Sequence, residues 1–307
     1  MMHYDGMYYI NEEEVRSNLT MKDTIDAIRE AFEEYRAGRA SSNTRVRTFS
    51  EGSVLNTMPA SMEKYHILGH KTYSASRNGA RFVVTLFDSR NNDLIAIVEA
   101  NRLGQMRTGA VTAYATSILH PHVENFTIIG SGFQAETQLE GMITVSHPQS
   151  IRVYSRNYDH AKDFASRMSK QFGVDIRPVD NAEAALSDAD TVSSITNSTS
   201  PVILRKYLGD EYHVNLAGSN YMNRREAEYE VLHDADLVVT EHYDQSMVES
   251  AEISEYVKFG GKPVELREIA GRYGEFSGLR RTVFKSMGIG LEDIATAYRV
   301  LRNLGIA

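Results

Sequence analysis

The segment Gly130-Ser131-Gly132-Phe133-Gln134-Ala135 joins an apolar run, Phe126–Ile129, to a helical pattern that continues from Thr137 through Val145. Strand, tight glycine turn and helix start form the context that a dinucleotide fingerprint requires. Gly130 permits the sharp turn, Gly132 lets the backbone approach a pyrophosphate, and Ala135 is small enough for close helix–strand packing. Free N–H groups and the dipole at the helix start attract the diphosphate. Gly130, Gly132, Phe133, Gln134 and Ala135 are therefore the candidate phosphate-binding residues. The competing reading is a plain structural turn, and the strand before, the helix after and the rhythm downstream weigh against it.

The second strand of such a unit ends beside the adenine ribose, where an NAD site carries Asp or Glu. Here Ile151-Arg152-Val153-Tyr154 leads into Ser155-Arg156-Asn157, with no acid before Asp159. A small hydroxyl residue followed by Arg suits a 2′-phosphate, which takes charge-assisted hydrogen bonds. Ser155 and Arg156 thus favour NADP(H) over NAD(H). The alternative has Arg156 stacking on the adenine or capping the next helix.

These residues need elements to hold them. Thr20 and Asp23 read as a capping box, and Ile25, Ile28, Phe32 and Tyr35 recur at helical spacing until Gly38. From about Arg45 to Ala100 the pattern is one of short strands, with Arg81–Phe87 and Leu94–Val98 flanking the turn-rich link Asp88–Asp93. A helix is expected from about Asn101 to Leu119. Beyond Pro121 strands alternate with helices: Phe126–Ile129, Ile151–Tyr154, Asp175–Arg177, Thr191–Ile195, Val214–Leu216 and Leu237–Thr240 are the strand candidates, and Asp159–Phe172 is helical. That alternation predicts βαβ units and a parallel sheet covered on both faces, an α/β fold of the Rossmann type. Gly288–Leu304 reads as a final amphipathic helix.

Composition narrows the class further. The chain has 307 residues, 42% hydrophobic and 24% charged, in the range of an ordinary globular protein. A net charge of −8 argues against a nucleic-acid partner. No run approaches the roughly 18 apolar residues of a membrane helix, and no basic start followed by an apolar stretch marks a secretory signal. Without cysteine there are no disulfides, thiolate metal sites or cysteine nucleophiles. A cytoplasmic location is the default expectation. His70 and the other histidines lack metal-ligand spacing, so no metal is expected.

Seven segments, taken together and in order, resemble the ornithine cyclodeaminase/μ-crystallin family of dinucleotide-dependent enzymes. They are Arg47-Thr48, Met58-Pro59-Ala60, Gly69-His70-Lys71, Gln105-Met106-Arg107-Thr108-Gly109-Ala110, Gly130–Ala135, Val214-Asn215-Leu216-Ala217-Gly218 and Phe284-Lys285-Ser286-Met287-Gly288. The resemblance implies two domains. Residues 1–120 plus 288–307 would form an α+β substrate and dimerisation domain, and 121–287 a Rossmann domain with a doubly wound parallel sheet. It implies a homodimer, and amino or imino acid substrates held by Arg47, Lys71 and Arg107. A guanidinium clamps a planar carboxylate with two parallel bonds, and Arg45, two positions along the same strand face, is the alternative to Arg47. Lys71 can polarise the carboxylate, or exchange a proton with an imine nitrogen if burial depresses its pKa. Thr196 and Ser198, after a strand, are expected to line the nicotinamide ribose or else cap a helix, and Ser286 and Met287 to close the pocket near the nicotinamide amide. Glu292 and Asp293 read as first-turn acids complementing the last helix's dipole.

The chain departs from the cyclodeaminase pattern at one position. Where those enzymes carry G-G-D, it has Gly218-Ser219-Asn220. Asn220, placed against the substrate, cannot act as a general base. Cyclodeamination needs proton transfers that a base assists, whereas a single hydride transfer to an imine needs less. The expectation is therefore an NAD(P)H-dependent oxidoreductase interconverting an amino acid with its imino or keto acid, ketimine reductase-like or alanine dehydrogenase-like. The alternatives are an ornithine or lysine cyclodeaminase and an NADPH-loaded binding protein with vestigial activity.

Overall fold

The computed structural model describes residues 2–4 and 6–307, the side chains of the first three excepted. The chain divides into two compact units, residues 1–107 with 288–307, and residues 108–287. Among the described residues no helix is long and apolar enough to cross a membrane.

The first unit is built on an eight-stranded mixed sheet: β1 (Met2–Tyr4), β2 (Met7–Ile10), β3 (Ala40–Ser42), β4 (Val46–Ser50), β5 (Ser53–Met62), β6 (Ile67–Ser76), β7 (Gly79–Asp88) and β8 (Leu94–Glu99). Its order is β1-β2-β8-β7-β6-β5-β3, with β4 also on β5, and every pairing but β2·β8 is antiparallel. The expected 81–87/94–98 hairpin is present as β7 and β8. The strands around it are longer than expected, because β5 and β6 run ten residues each with polar groups alternating against apolar ones. Pro59 is tolerated inside β5 because, on its outer side, pairing passes from β4, opposite Thr57, to β3, opposite Ala60.

One face of this sheet is buried by Met58, Ala60, Met62, Ile67, Val84, Leu86, Ala96 and Val98. Helices α2 (Met21–Arg36) and α11 (Gly290–Asn303) lie on the sheet and on each other. The Thr20–Asp23 capping box starts α2 as the sequence indicates. An earlier helix, α1 (Glu12–Asn18), escapes the periodicity reading because only Val15 in it is buried.

The second unit carries a fully parallel sheet of β9 (Asn125–Ile129), β10 (Ser150–Tyr154), β11 (Arg177–Val179), β12 (Thr191–Ser194), β13 (Tyr212–Leu216), β14 (Leu237–Thr240), β15 (Val264–Glu265) and β16 (Arg281–Lys285). The order β11-β10-β9-β12-β13-β16-β14-β15 is doubly wound, reversing direction at β9. The expected α/β class and parallel sheet hold. The strand expected at 175–177 falls two residues later, and β16 was not anticipated. Helices α3 (Asn101–Leu119), α4 (Ala135–Val145) and α5 (Tyr158–Phe172) include those read from periodicity, and the shorter α6 (Ala182–Leu186), α7 (Tyr229–His233), α8 (Tyr243–Glu249), α9 (Ala251–Lys258) and α10 (Leu266–Ile269) join the later strands; α3 begins in the first unit and continues into the second. In the second unit a buried polar cluster pins α3 to the sheet. His213 Nε2 meets Thr116 Oγ1 at 3.0 Å and Asn215 Oδ1 at 3.2 Å, and His213 Nδ1 meets Thr282 Oγ1 at 2.8 Å.

Candidate active site

Strand alternation decides what β6 offers the buried face. Ile67, Gly69, Lys71 and Tyr73 share one side, so the lysine enters a core position. Only 3% of Lys71 is exposed. Its Nζ donates to Asp293 Oδ1 at 3.0 Å and lies 5.4 Å from the Phe82 ring and 5.8 Å from the Tyr73 ring. Those two rings stack with centroids 4.9 Å apart. Burial, reinforced by the Arg107 charge, presses the Lys71 ammonium down to about 8 against the opposing pull of Asp293. An amine with that pKa gives up and regains a proton near neutral pH.

Arg107 stands on the second turn of α3, inside the first unit. The start of α3 is fixed by Glu12, whose carboxylate accepts the backbone N–H groups of Asn101 and Arg102. This carboxylate at a helix N-terminus also complements the dipole. The Arg107 Nε donates to Asp293 Oδ1 at 3.2 Å and its Nη1 to Glu292 Oε2 at 2.9 Å. Glu292 and Asp293 are indeed first-turn acids of α11, but they do more than the sequence reading assigned them. Both are fully buried and they hold the two cations from below. Asp293 Oδ2 has no hydrogen-bond partner.

The two candidate arginines before β5 take different places. Arg45 donates from Nη2 to Gly288 O at 3.2 Å and contacts Met58 Sδ at 3.4 Å through Nε. Its charge also bears on Lys71. Arg47, on β4, donates from Nε to Asn56 Oδ1 at 3.2 Å. That bond fixes the Asn56 amide with its oxygen toward the guanidinium, and leaves Nδ2 buried with no partner. The structure thus brings Lys71, Arg107 and Arg45 together and pairs Arg47 with the buried Asn56 of β5. A buried amide donor beside guanidinium groups is the donor set an α-carboxylate accepts from.

In the second unit the glycine loop has the shape the fingerprint demands. Gly130 sits at φ +106°, a conformation that L side chains rarely adopt, and a Cβ there would lie 2.7 Å from Ile195 O. A Cβ on Gly132 would meet nothing within 4 Å, so open space faces that backbone. The α4 helix that follows starts with no side-chain cap at Gln134. A wide space, a tight turn and an uncapped helix start fit a dinucleotide diphosphate. Phe133 is 60% exposed. Ser155 and Arg156 follow β10 at the surface, and the cap of α5 is Asn157, not Arg156.

The remaining expected positions lie on loops at the carboxyl ends of strands. Thr196 follows β12 and donates from both N and Oγ1 to Glu226 Oε1, at 2.7 and 3.0 Å. Ser198 N donates to Thr196 Oγ1 at 3.3 Å, so the Thr196–Ser198 turn caps itself and no helix. Asn220 is half-buried in the loop after β13. Ser286 Oγ and Met287 N both donate to the buried Glu241 carboxylate at 2.6 Å. Glu226 and Glu241 were missed from the sequence. Their partners are up to 46 residues distant, so no local pattern marks them.

The model of the ornithine cyclodeaminase/mu-crystallin family matches residues 8–305. The chain is 28% identical over 310 residues to the Delta(1)-pyrroline-2-carboxylate reductase of Bacillus cereus strain ZK / E33L, covering 95% of this chain and 94% of that one. It is 27% identical over 266 residues to the ketimine reductase mu-crystallin of Rattus norvegicus, covering 86% and 76%. The structure of Thermococcus litoralis Delta(1)-pyrroline-2-carboxylate reductase in complex with NADH and L-proline superimposes with a TM-score of 0.89 at 26% identity over 97% of each chain. With the family model spanning nearly its whole length, the chain belongs to the ornithine cyclodeaminase/mu-crystallin family.

Proposed function

We propose that the protein is an NAD(P)H-dependent oxidoreductase that interconverts an α-amino acid with its imino or keto acid, working as a ketimine reductase or alanine dehydrogenase-like enzyme. Lys71 carries this reading: a buried amine with a pKa of about 8, paired with Asp293 and neighboured by Arg107. In the reductive direction the Lys71 ammonium gives its proton to the imine nitrogen. The C=N bond becomes C–N as the carbon receives hydride, and Lys71 recovers a proton from water. Arg45, Arg47, Arg107 and the Asn56 amide hold the substrate carboxylate. When bound at the Gly130–Ala135 loop, a nicotinamide dinucleotide would supply that hydride.

Ser155 and Arg156 support NADP(H) over NAD(H), since a guanidinium and a hydroxyl suit a 2′-phosphate. Asn220 supports reduction over cyclodeamination, because an amide supplies no base. A homodimer is supported by the open face of the first unit's sheet. There Leu55 and Leu68 are exposed, and a groove of about 330 Å³ is lined by Pro59, Leu68, His70 and Phe87. A dimeric alanine dehydrogenase with bound NAD is among the similar structures, with a TM-score of 0.88.

The deciding experiment follows NADPH and NADH oxidation with pyrroline-2-carboxylate, piperideine-2-carboxylate and pyruvate plus amines, alongside ornithine or lysine with catalytic oxidised cofactor. Imine-dependent oxidation, lost in Lys71→Ala, is expected. Ammonia released from ornithine or lysine without net cofactor reduction would instead identify a cyclodeaminase. Tight NADPH binding with no turnover across the panel would identify a binding protein.

A further inference from the structure

At the carboxyl edge of the parallel sheet the chain leaves β9, β12 and β13 at Gly130, Ile195 and Ala217. This edge includes the topological switch point, with β10 on one side of β9 and β12 on the other. Open α/β sheets bind ligands in the crevice that such a reversal leaves. One side chain ties the turns after β12 and β13 together. Glu226 Oε1 accepts from Ser194 Oγ at 2.6 Å, Thr196 N at 2.7 Å and Thr196 Oγ1 at 3.0 Å, and its Oε2 accepts from Gly218 N at 2.7 Å. A Cβ on Gly218 would strike the Thr196 backbone and the Glu226 carboxylate, so only glycine admits this packing. The Gly130 turn adjoins Thr196, since a Cβ on Gly130 would lie 3.3 Å from Thr196 Cγ2.

A second layer holds Glu226 in turn. Its backbone N–H donates to Glu252 Oε1 at 2.9 Å, and Ser250 Oγ donates to Glu252 Oε2 at 3.0 Å. Lys285 Nζ, fully buried and without a hydrogen-bond partner, lies 3.7 Å from Glu252 Oε2 and 4.0 Å from Glu226 Oε2. Burial pushes the Glu252 carboxyl up, yet the Lys285 charge and backbone N–H groups outweigh it and hold it below the usual range. Burying ionised groups is costly, and apolar residues of the same volume would often pack as well or better. The arrangement makes sense where several backbone donors must be aimed and kept aimed.

We infer that Glu226 is a positioning residue for the nicotinamide half of the cofactor, setting the turns at Thr196 and Gly218 that face it. The inference rests on the proposed reading that the Thr196–Ser198 turn lines the nicotinamide ribose. Glutamine cannot replace the carboxylate. Turned one way, its NH₂ meets the Gly218 N–H and Lys285; turned the other, it meets the Thr196 N–H and two hydroxyls.

The test compares Glu226→Gln with the unaltered protein by calorimetric binding of two probes, NADPH and 2′-phospho-ADP, which lacks the nicotinamide and the ribose that carries it. Thermal melting verifies folding. The unaltered protein should bind NADPH more tightly than the fragment. Glu226→Gln should shrink that advantage at least tenfold while fragment affinity changes less than twofold. Equal weakening of both probes, or no weakening of either, would overturn the inference, because a merely structural role does not separate them. If Glu226→Gln does not fold, Ser194→Ala, which removes one donor to Glu226, should shrink the advantage about threefold, and an unchanged ratio sinks the idea. Unaltered protein that binds neither these probes nor their counterparts without the 2′-phosphate, NADH and ADP, overturns the dinucleotide reading beneath it; if it binds only the latter pair, the same comparison is made with them, and protein that binds both members of its pair equally overturns the inference alone.

Discussion

Asp293 Oδ1 accepts hydrogen bonds from Lys71 Nζ at 3.0 Å and from Arg107 Nε at 3.2 Å. One oxygen on the last helix therefore fixes an amine on β6 and a guanidinium on α3. Removing one partner of a buried pair leaves the other's charge uncompensated, which commonly costs about 3–5 kcal/mol. The relationship is thus structural and electrostatic together, and it makes Lys71 the group whose titration should be visible in the kinetics.

With a pKa near 8, Lys71 is mostly protonated below that pH and mostly neutral above it. Imine reduction consumes the protonated form, so kcat/KM for reduction should fall as pH rises through about 8. Amino acid oxidation needs the neutral form and should rise over the same interval. Asp293 pulls the pKa up, so Asp293→Asn should move both inflections to lower pH and cut reduction at pH 7.5 by roughly 10- to 100-fold, less than the roughly 10²–10⁴-fold that complete loss of a general acid costs. Rate profiles from pH 6 to 10 in both directions measure this. Inflections left in place by Asp293→Asn would remove Lys71 as the titrating group.

Arg156 stands at the surface with no helix to cap. If it meets a 2′-phosphate, Arg156→Ala should raise the KM for NADPH by about tenfold or more, the worth of a hydrogen bond to a charged group, and leave that for NADH within twofold. Steady-state kinetics with both cofactors decides it. A preference for NADH in the unaltered protein would refute the 2′-phosphate role outright.

His213 is buried in the second unit, and burial, aided by the nearby His120, presses it down to about 3. It stays neutral in the folded chain, whereas an unfolded histidine takes up a proton near pH 6.5. The depressed value means the unfolded state binds the extra proton between those limits. Stability should therefore decline as pH falls from about 6 toward 3, by roughly 1.4 kcal/mol per pH unit from this residue. His213→Gln should flatten the decline, and urea melts at pH 7, 5 and 4 compare the slopes. Parallel slopes in the two proteins would clear His213 of the effect.

What could be read in advance follows from how local each signal is. The glycine loop announces itself because strand, turn and helix start are contiguous, and α5 because its apolar residues keep a helical period. Strands β5 and β6 were blurred by Asn56, Lys71 and the Pro59 interruption, polar groups that the site itself requires on a core face. Glu292 and Asp293 carry a valid local meaning as first-turn acids, which hid their distant one. Their partners lie 185 and 222 residues away. Glu226 gives no local sign at all, since each of its donors comes from another turn of the chain.

The unit that houses Lys71 is stitched from both ends of the chain, and its closing piece is residues 288–307. In synthesis that piece follows the dinucleotide unit, at roughly 5–20 residues per second. Until then Lys71 and Arg107 lack the carboxylates of Glu292 and Asp293. A chain cut short before α11 would keep its glycine loop yet strand a buried amine and guanidinium. It would expose the apolar sheet face to cellular quality control. The α11 helix thus ties the charge balance around Lys71 to a stretch of chain on the far side of the dinucleotide unit.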